Sequence, residues 1–199
     1  MKLRFLLPAV AFVVLVLFTG TASAYDLPVG AVCWSSSRPL SWSDFRGPVP
    51  TNVASLTDAA AIHMTISWPY QYTVQCGTSP ELVTVTSISV FNFMDPSRSW
   101  AYGPRMTAET LKHEQTHFNL NEVYRRKLET ALCRLLPIPQ TTKEALRQLL
   151  HCTADPILDR MLTVQSQYDR ETDHSNNSAA QAEWDRKVLG WLANPSLAP

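Results

Sequence analysis

The apolar residues change period once along the chain, and that change limits what it can fold into. Ala60, Ile62, Met64, Ile66 and Trp68 alternate with Ala61, His63, Thr65 and Ser67. A period of two marks a half-buried strand, and Pro69 closes it. Glu81 to Phe93 is rich in Val, Ile, Thr and Phe and reads as a second strand. Within it Val83, Val85, Phe91 and Phe93 share one parity, while Ile88 and Val90 share the other. A bulge or two buried faces accounts for the switch. Leu40 to Gly47 reads as a short strand ending in a glycine turn, and Pro48 and Pro50 make the following stretch irregular.

From Thr107 onward the period is helical. Thr107 is suited to an N-cap, and Glu109 to the positive end of the helix dipole. Leu111, Phe118, Leu128, Leu132 and Leu135 keep helical spacing as far as Pro137. Thr141 and Glu144 form a capping-box pattern that opens a second helix through Leu150. Asp155-Pro156 reads as a cap and first-turn proline for a third, running through Ile157, Met161, Val164 and Tyr168. A fourth spans about Ala179 to Leu192 and carries Trp184, Val188 and Trp191, and Asn194 to Pro199 reads as a loose tail. The expectation is an α+β fold: a small N-terminal antiparallel β-sheet (25–100) followed by a helical bundle (107–193), in one domain over 25–199.

Residues 1–24 are expected to lie outside that fold. Lys2 and Arg4 precede an apolar run from Phe5 to Phe18, and Ala22-Ser23-Ala24 has the small-residue pattern of a cleavage site. This is the order of a signal peptide, and the run is shorter than the roughly 20 residues of a membrane span. The protein is therefore expected to be exported, periplasmic or secreted, with no stable membrane span after cleavage. Seventeen basic residues balance seventeen acidic ones. A nucleic-acid surface needs a basic excess, so nucleic acid is not an expected partner. The four cysteines, in an oxidising compartment, are expected to pair as Cys33–Cys76 and Cys133–Cys152. They lack the Cys-x-x-Cys spacing of a zinc site.

The chemistry-bearing motif is His113-Glu114-Gln115-Thr116-His117, an HExxH inside the first predicted helix. Residues four apart share a helix face, so His113 and His117 can converge on one Zn²⁺. Glu114 lies beside them and can move a proton to and from water. Such a site needs a third protein ligand. Tyr168-Asp169-Arg170-Glu171-Thr172-Asp173-His174 offers three. His174, at the predicted end of the third helix, is preferred, with Glu171 second and Asp169 also open. Tyr168 is carried as a catalytic candidate that could donate a hydrogen bond to an oxyanion, but it continues the apolar stripe of its helix and packing is the preferred reading. His63 on a strand is read as a surface residue, and His151, at a helix end where a cation complements the dipole, is set aside as a ligand.

HEQTHF, the later YDRETDH and the early LSWSDFRG together resemble bacterial domain-of-unknown-function family 922, whose members are predicted to be secreted zinc-dependent proteases. Its members typically carry HEQ-x-HF, a YD-x-x-T-x-HG segment and a W-x-D-F-x-G element. The resemblance implies His113 and His117 as ligands and Glu114 as catalytic. It marks Tyr168, Asp169, Thr172 and His174 as motif members. Ser175 departs from the pattern, standing where the family usually has glycine. The expected function is an exported zinc-dependent hydrolase, in the first instance a metallopeptidase with a peptide or protein substrate. A non-catalytic zinc-binding envelope protein and a zinc amidase or esterase are the alternatives.

Overall fold

The computed structural model describes residues 17–22, 27–75 and 77–199. Eight strands come first: β1 (Leu17–Ala22), β2 (Val32–Cys33), β3 (Ala60–Ala61), β4 (Met64–Ser67), β5 (Tyr70–Gln75), β6 (Leu82–Ile88), β7 (Phe91–Met94) and β8 (Trp100–Ala101). Then follow helix α1 (Ala108–Cys133), strand β9 (Ile138–Thr142), and helices α2 (Lys143–Thr172) and α3 (Ser178–Ala193). The strands form three antiparallel sheets, ordered β1-β5-β6-β9, β2-β7-β4 and β3-β8. The class is α+β, as expected.

Helix α1 lies between two cores. Its C-terminal half sends Leu120, Val123, Tyr124, Leu128 and Leu132 into the larger one, against Val83, Val85 and Ile88 of β6, Ile138 of β9, and α2 and α3. Nearer its start, Phe118 meets Leu40 and Met94 in a smaller core, with Trp34, Phe45, Ile62 and Met64 packed around them. The functional face of α1 is thus held from both sides. Fully burying each large aliphatic or aromatic side chain contributes roughly 1.5–3 kcal/mol.

The structure corrects several local expectations. The run 60–68 is two strands in two sheets, because the chain leaves β8 after Ala61 and joins β7 from Met64. The parity switch in 81–93 comes in part from the expected bulge: within β6 Val85 stands opposite Tyr72 and Ser87 opposite Gln71, so the register skips Thr86 and Val83, Val85 and Ile88 are all buried. β6 then ends at Ile88, Ser89 donates its N–H to the Pro69 carbonyl, and β7 starts in another sheet. Leu40–Gly47 is not a strand. Trp42–Asp44 forms a 3₁₀ turn whose capping box joins Ser41 and Asp44. The second and third predicted helices are one, with Pro156 inside α2. Proline costs a backbone hydrogen bond, and in a helix interior about 3 kcal/mol. The stripe of Leu150, Ala154, Val164 and Tyr168 is buried on both sides of it and keeps the helix continuous. The N-cap of α2 is Thr142, whose side chain accepts from the Ala145 N–H, while Thr141 stays in β9.

Two further expectations, for the tail and for the Cys133–Cys152 pairing, fall differently. The tail is docked: the Tyr124 hydroxyl donates to the Pro199 carbonyl at 2.9 Å, and the Lys127 ammonium to the Ala198 carbonyl at 2.8 Å. Cys33, Cys133 and Cys152 are free and exposed, so Cys133–Cys152 is not formed. Between the two helices, starting just after Pro137, β9 pairs with β6. Cys76 lies outside the described residues, and with it the Cys33–Cys76 pairing. Of the expected leader, 1–16 and 23–24 lie outside the described residues. Leu17–Ala22, however, pairs along its whole length with β5. A sheet edge offers unpaired N–H and C=O groups, and an extended apolar segment satisfies them. No described helix is long and apolar enough to cross a membrane.

Candidate metal centre

Helix α1 starts where its cap dictates: the Thr107 side chain accepts from the Thr110 N–H at 3.1 Å. His113 and His117 then fall one turn apart on the face turned toward α2. Their Nε2 atoms lie 3.1 Å apart. The third group is Asp169, one turn from the C-terminus of α2. Its Oδ1 is 3.2 Å from His113 Nε2 and 2.7 Å from His117 Nε2. Among the described residues these three are brought together, their donor atoms all within 4.8 Å of one another.

The histidines are oriented from behind. His113 Nδ1 is 3.2 Å from Gln181 Oε1, and His117 Nδ1 is 2.6 Å from Gln165 Oε1. Both glutamines are themselves fixed: Gln165 Nε2 donates to the His117 carbonyl at 3.0 Å, and Gln181 Nε2 to Asp185 Oδ1 at 2.9 Å. An amide oxygen only accepts, so each Nδ1 carries the proton and each neutral ring turns a lone pair on Nε2 toward Asp169. Three acceptor atoms facing one point repel unless a cation or an added proton lies among them. The donor set therefore fits a divalent metal held by two imidazoles and a carboxylate.

The charges agree with this picture. Burial alone would raise the Asp169 carboxyl, but with such an added proton in the site the His113 and His117 imidazoles donate to it, outweigh burial and hold the group far below the usual carboxylate range. Burial alone would lower His117; the charges of Asp169 and Glu114 raise it. Glu114, only 4 % exposed, accepts the Ile62 N–H on Oε2 at 3.0 Å. Burial pushes its carboxyl upward against the opposing pull of His117 and His113.

A cavity of about 340 Å³ opens over this group, bordered by His113, Glu114, His117 and Asp169. Its other walls include Asp58, Ile62, Met161, Leu162 and His174. His174 is not in the three-donor cluster. Its Nδ1 meets Asp58 Oδ1 at 2.6 Å. The cause is the backbone: Asp173, His174 and Ser175 all have left-handed φ, of 48°, 50° and 78°. This turn ends α2 and carries the His174 ring to the Asp58 side of the cavity. Glu171 also faces elsewhere, accepting from Trp184 Nε1 at 2.8 Å and Gln167 Nε2 at 2.7 Å.

Tyr168 does not border the cavity. Its ring stacks on His113 with centroids 4.6 Å apart, and its hydroxyl donates to Gln181 Oε1 at 2.8 Å. Fully buried, with its phenol pushed far up by desolvation, it props the histidine ring and has no hydroxyl free for an oxyanion. His151 is exposed. His63, read as a surface residue, borders the cavity without joining the cluster. Asp58, Gln165 and Gln181 were not anticipated. Gln165 had one signal, since it precedes Asp169 by four residues on the same face of α2. Gln181 had none.

The remaining motif residues brace this arrangement. Gln115 Oε1 accepts the Leu40 N–H at 2.7 Å, and Gln115 Nε2 donates to Asn119 Oδ1 at 2.9 Å, where Trp34 Nε1 also donates. Gly47 lies against the 97–99 backbone, where an added Cβ would stand 2.9 Å from three backbone atoms. That backbone in turn presents Ser99 Oγ to the His63 N–H at 2.8 Å, next to the segment that reaches Glu114. Residues 43–175, about two thirds of the chain, match the family described as "Bacterial protein of unknown function (DUF922)". The chain belongs to this family. The matched DUF922 region takes in α1 and α2 whole, and so the two histidines, Glu114 and Asp169. No curated protein and no solved structure matches the chain.

Proposed function

We propose that this DUF922 protein is an exported zinc-dependent hydrolase that cleaves peptide bonds. One observation carries the reading: two imidazoles and a carboxylate converge at the floor of a cavity, with the Glu114 carboxylate beside them. His113 Nε2, His117 Nε2 and Asp169 Oδ1 are the ligands, a change of third ligand from the His174 expected of the sequence. A Zn²⁺ ion held there supplies a Lewis acid that makes water acidic and polarises a carbonyl. Three protein ligands under an open cavity leave room for substrate, whereas a structural zinc site closes with a fourth ligand.

Glu114 is the proton carrier. The Ile62 N–H fixes Oε2 and leaves Oε1 for water. It takes a proton as water adds to the carbonyl carbon, then gives one to the leaving nitrogen as the C–N bond breaks. Gln165 and Gln181 hold the histidines in the tautomer that binds metal, and Tyr168 packs against both rings.

Metal content measured by mass spectrometry, together with hydrolysis by the Glu114→Gln variant, tests the reading. About one zinc per chain, retained in a variant without turnover, is expected. Wild-type hydrolysis by that variant, or a protein that takes up no metal when zinc is supplied, would sink it.

A further inference from the structure

The wall of the cavity opposite the histidines is a sheet edge with a defined polarity. In β3, Ala60 stands opposite Ala101 and Ala61 opposite Trp100 of β8. The Tyr102 N–H donates to the Ala59 carbonyl at 2.8 Å, so Ala59 and Tyr102 are a hydrogen-bonded pair. Bonded and non-bonded pairs alternate in an antiparallel ladder. Ala61 with Trp100 is then the next bonded pair, and the N–H and C=O of Ala60 point away from β8. Ile62 has the parity of Ala60, and its N–H donates to Glu114 Oε2. His63 has the opposite parity, and its N–H points back to Ser99 Oγ at 2.8 Å. The edge formed by Ala60 and Ile62 therefore faces the HExxH helix. Among the described residues no third strand adds to the β3-β8 pair.

From this we infer that the substrate is an extended polypeptide that binds as an added strand along the Ala60–Ile62 edge. The inference rests on the hydrolase reading above and names its substrate class. Main-chain hydrogen bonds are what such an edge offers, and only an extended peptide presents N–H and C=O groups at the matching repeat. Ala59, Ala60 and Ala61 keep the approach free of bulk. Glu114 is bonded to this same edge, so a strand laid on it passes the proton carrier at the distance of neighbouring strands, about 4.8 Å. A small ester or a sugar-bound amide has no use for the Ala60 pair.

The test uses the purified full-length protein and a tryptic casein digest as probe. A cleaved peptide is identified by mass, resynthesised with single backbone N-methyl groups, and measured for kcat/KM on the wild type. Binding is measured on the Glu114→Gln protein by hydrogen exchange, with and without metal. N-methylation should cost at least about tenfold at alternate residues and little between them, because only every second N–H faces the edge. Exchange of the Ala60 amide should slow when peptide binds, even in metal-free protein. A flat N-methyl scan with an unprotected Ala60 amide overturns the inference and leaves the hydrolase standing. Absence of zinc and of all turnover sinks the hydrolase. The exchange arm then still decides whether Ala60 receives a strand, and an Ala60 amide unaffected by the digest counts against it.

Discussion

Asp169 reaches from α2 to α1 and places its carboxylate 2.7 Å from Nε2 of His117, while His174, five residues further on, turns to Asp58. The two candidates for third ligand are thereby separated by measurable consequences. Asp169→Ala should reduce metal content from about one ion per chain to near none. His174→Ala should keep the ion. Metal analysis after dialysis against a weak chelator checks both, and retention in Asp169→Ala would return the ligand role to another residue.

Gln165 and Gln181 fix which imidazole nitrogen faces the proposed metal position. Removing such a partner typically costs 10–100-fold in metal affinity. Gln165→Leu should fall in that range, since the 2.6 Å contact with His117 Nδ1 is lost. Competition titration against a zinc-binding dye gives the number. An unchanged dissociation constant would mean that packing by Tyr168 alone orients the ring.

How far the sequence reaches can be judged from these residues. The HExxH spacing, the Thr107 cap and the change of period are local properties, and each appears in the fold where local rules put it. Which residue joins the two histidines as a third donor depends on where α2 stops and how the chain turns afterwards. Three successive left-handed residues at 173–175 decide that; the glycine usual in the family at 175 is a hint of such a backbone, but nothing local shows that Asp173 and His174 share it. The helix break expected at Asp155-Pro156 failed for a related reason: local proline chemistry was outweighed by the buried stripe on either side. The one-strand reading of 60–68 failed because side-chain alternation survives a change of sheet, so parity alone cannot reveal it.

Ser175 offers a direct measure of that strain. At φ 78° a residue with a Cβ is held in a conformation costing about 1–2 kcal/mol, which glycine adopts freely. Glycine also raises the entropy of the unfolded chain, offsetting about 0.4–1 kcal/mol of the gain. Ser175→Gly should therefore stabilise the protein by roughly 0.5–1 kcal/mol. Urea denaturation at fixed metal content tests this, and a loss of stability would show that the serine side chain makes a compensating contact.

Gly47 should tolerate no side chain. The Cβ of Gly47→Ala would lie 2.9 Å from Arg98 C, Ser97 O and Ser99 O, all backbone atoms. Overpacking against backbone costs typically 1–3 kcal/mol. Because Ser99 also holds the His63 N–H, the shift should reach the strand edge beside Glu114. The expected result is a lowered midpoint in urea together with faster amide exchange at Ile62 and His63. Lowered stability without the exchange change would confine the effect to the Gly47 loop.

Acid should expose the weak point of the same brace. Burial by itself would raise the Asp44 carboxyl; the Arg38 guanidinium and the N–H and hydroxyl of Ser41 outweigh it and lower the group below its ordinary value of 3.8. A depressed carboxyl in the folded state means that folding releases its proton. The stability Asp44 contributes is therefore fully present above pH 3.8, fades as pH falls below that value, and is gone once pH passes the folded-state value. Asp44→Asn removes the titrating group, so its urea midpoint should lie below wild type at neutral pH and the gap should narrow on acidification. Arg38 lies half in solvent, so added salt should shrink the neutral-pH gap as well. Parallel midpoint curves for the two proteins from neutral pH down to the acid limit would show that the Arg38–Asp44–Ser41 cluster does not stabilise the fold through this charge.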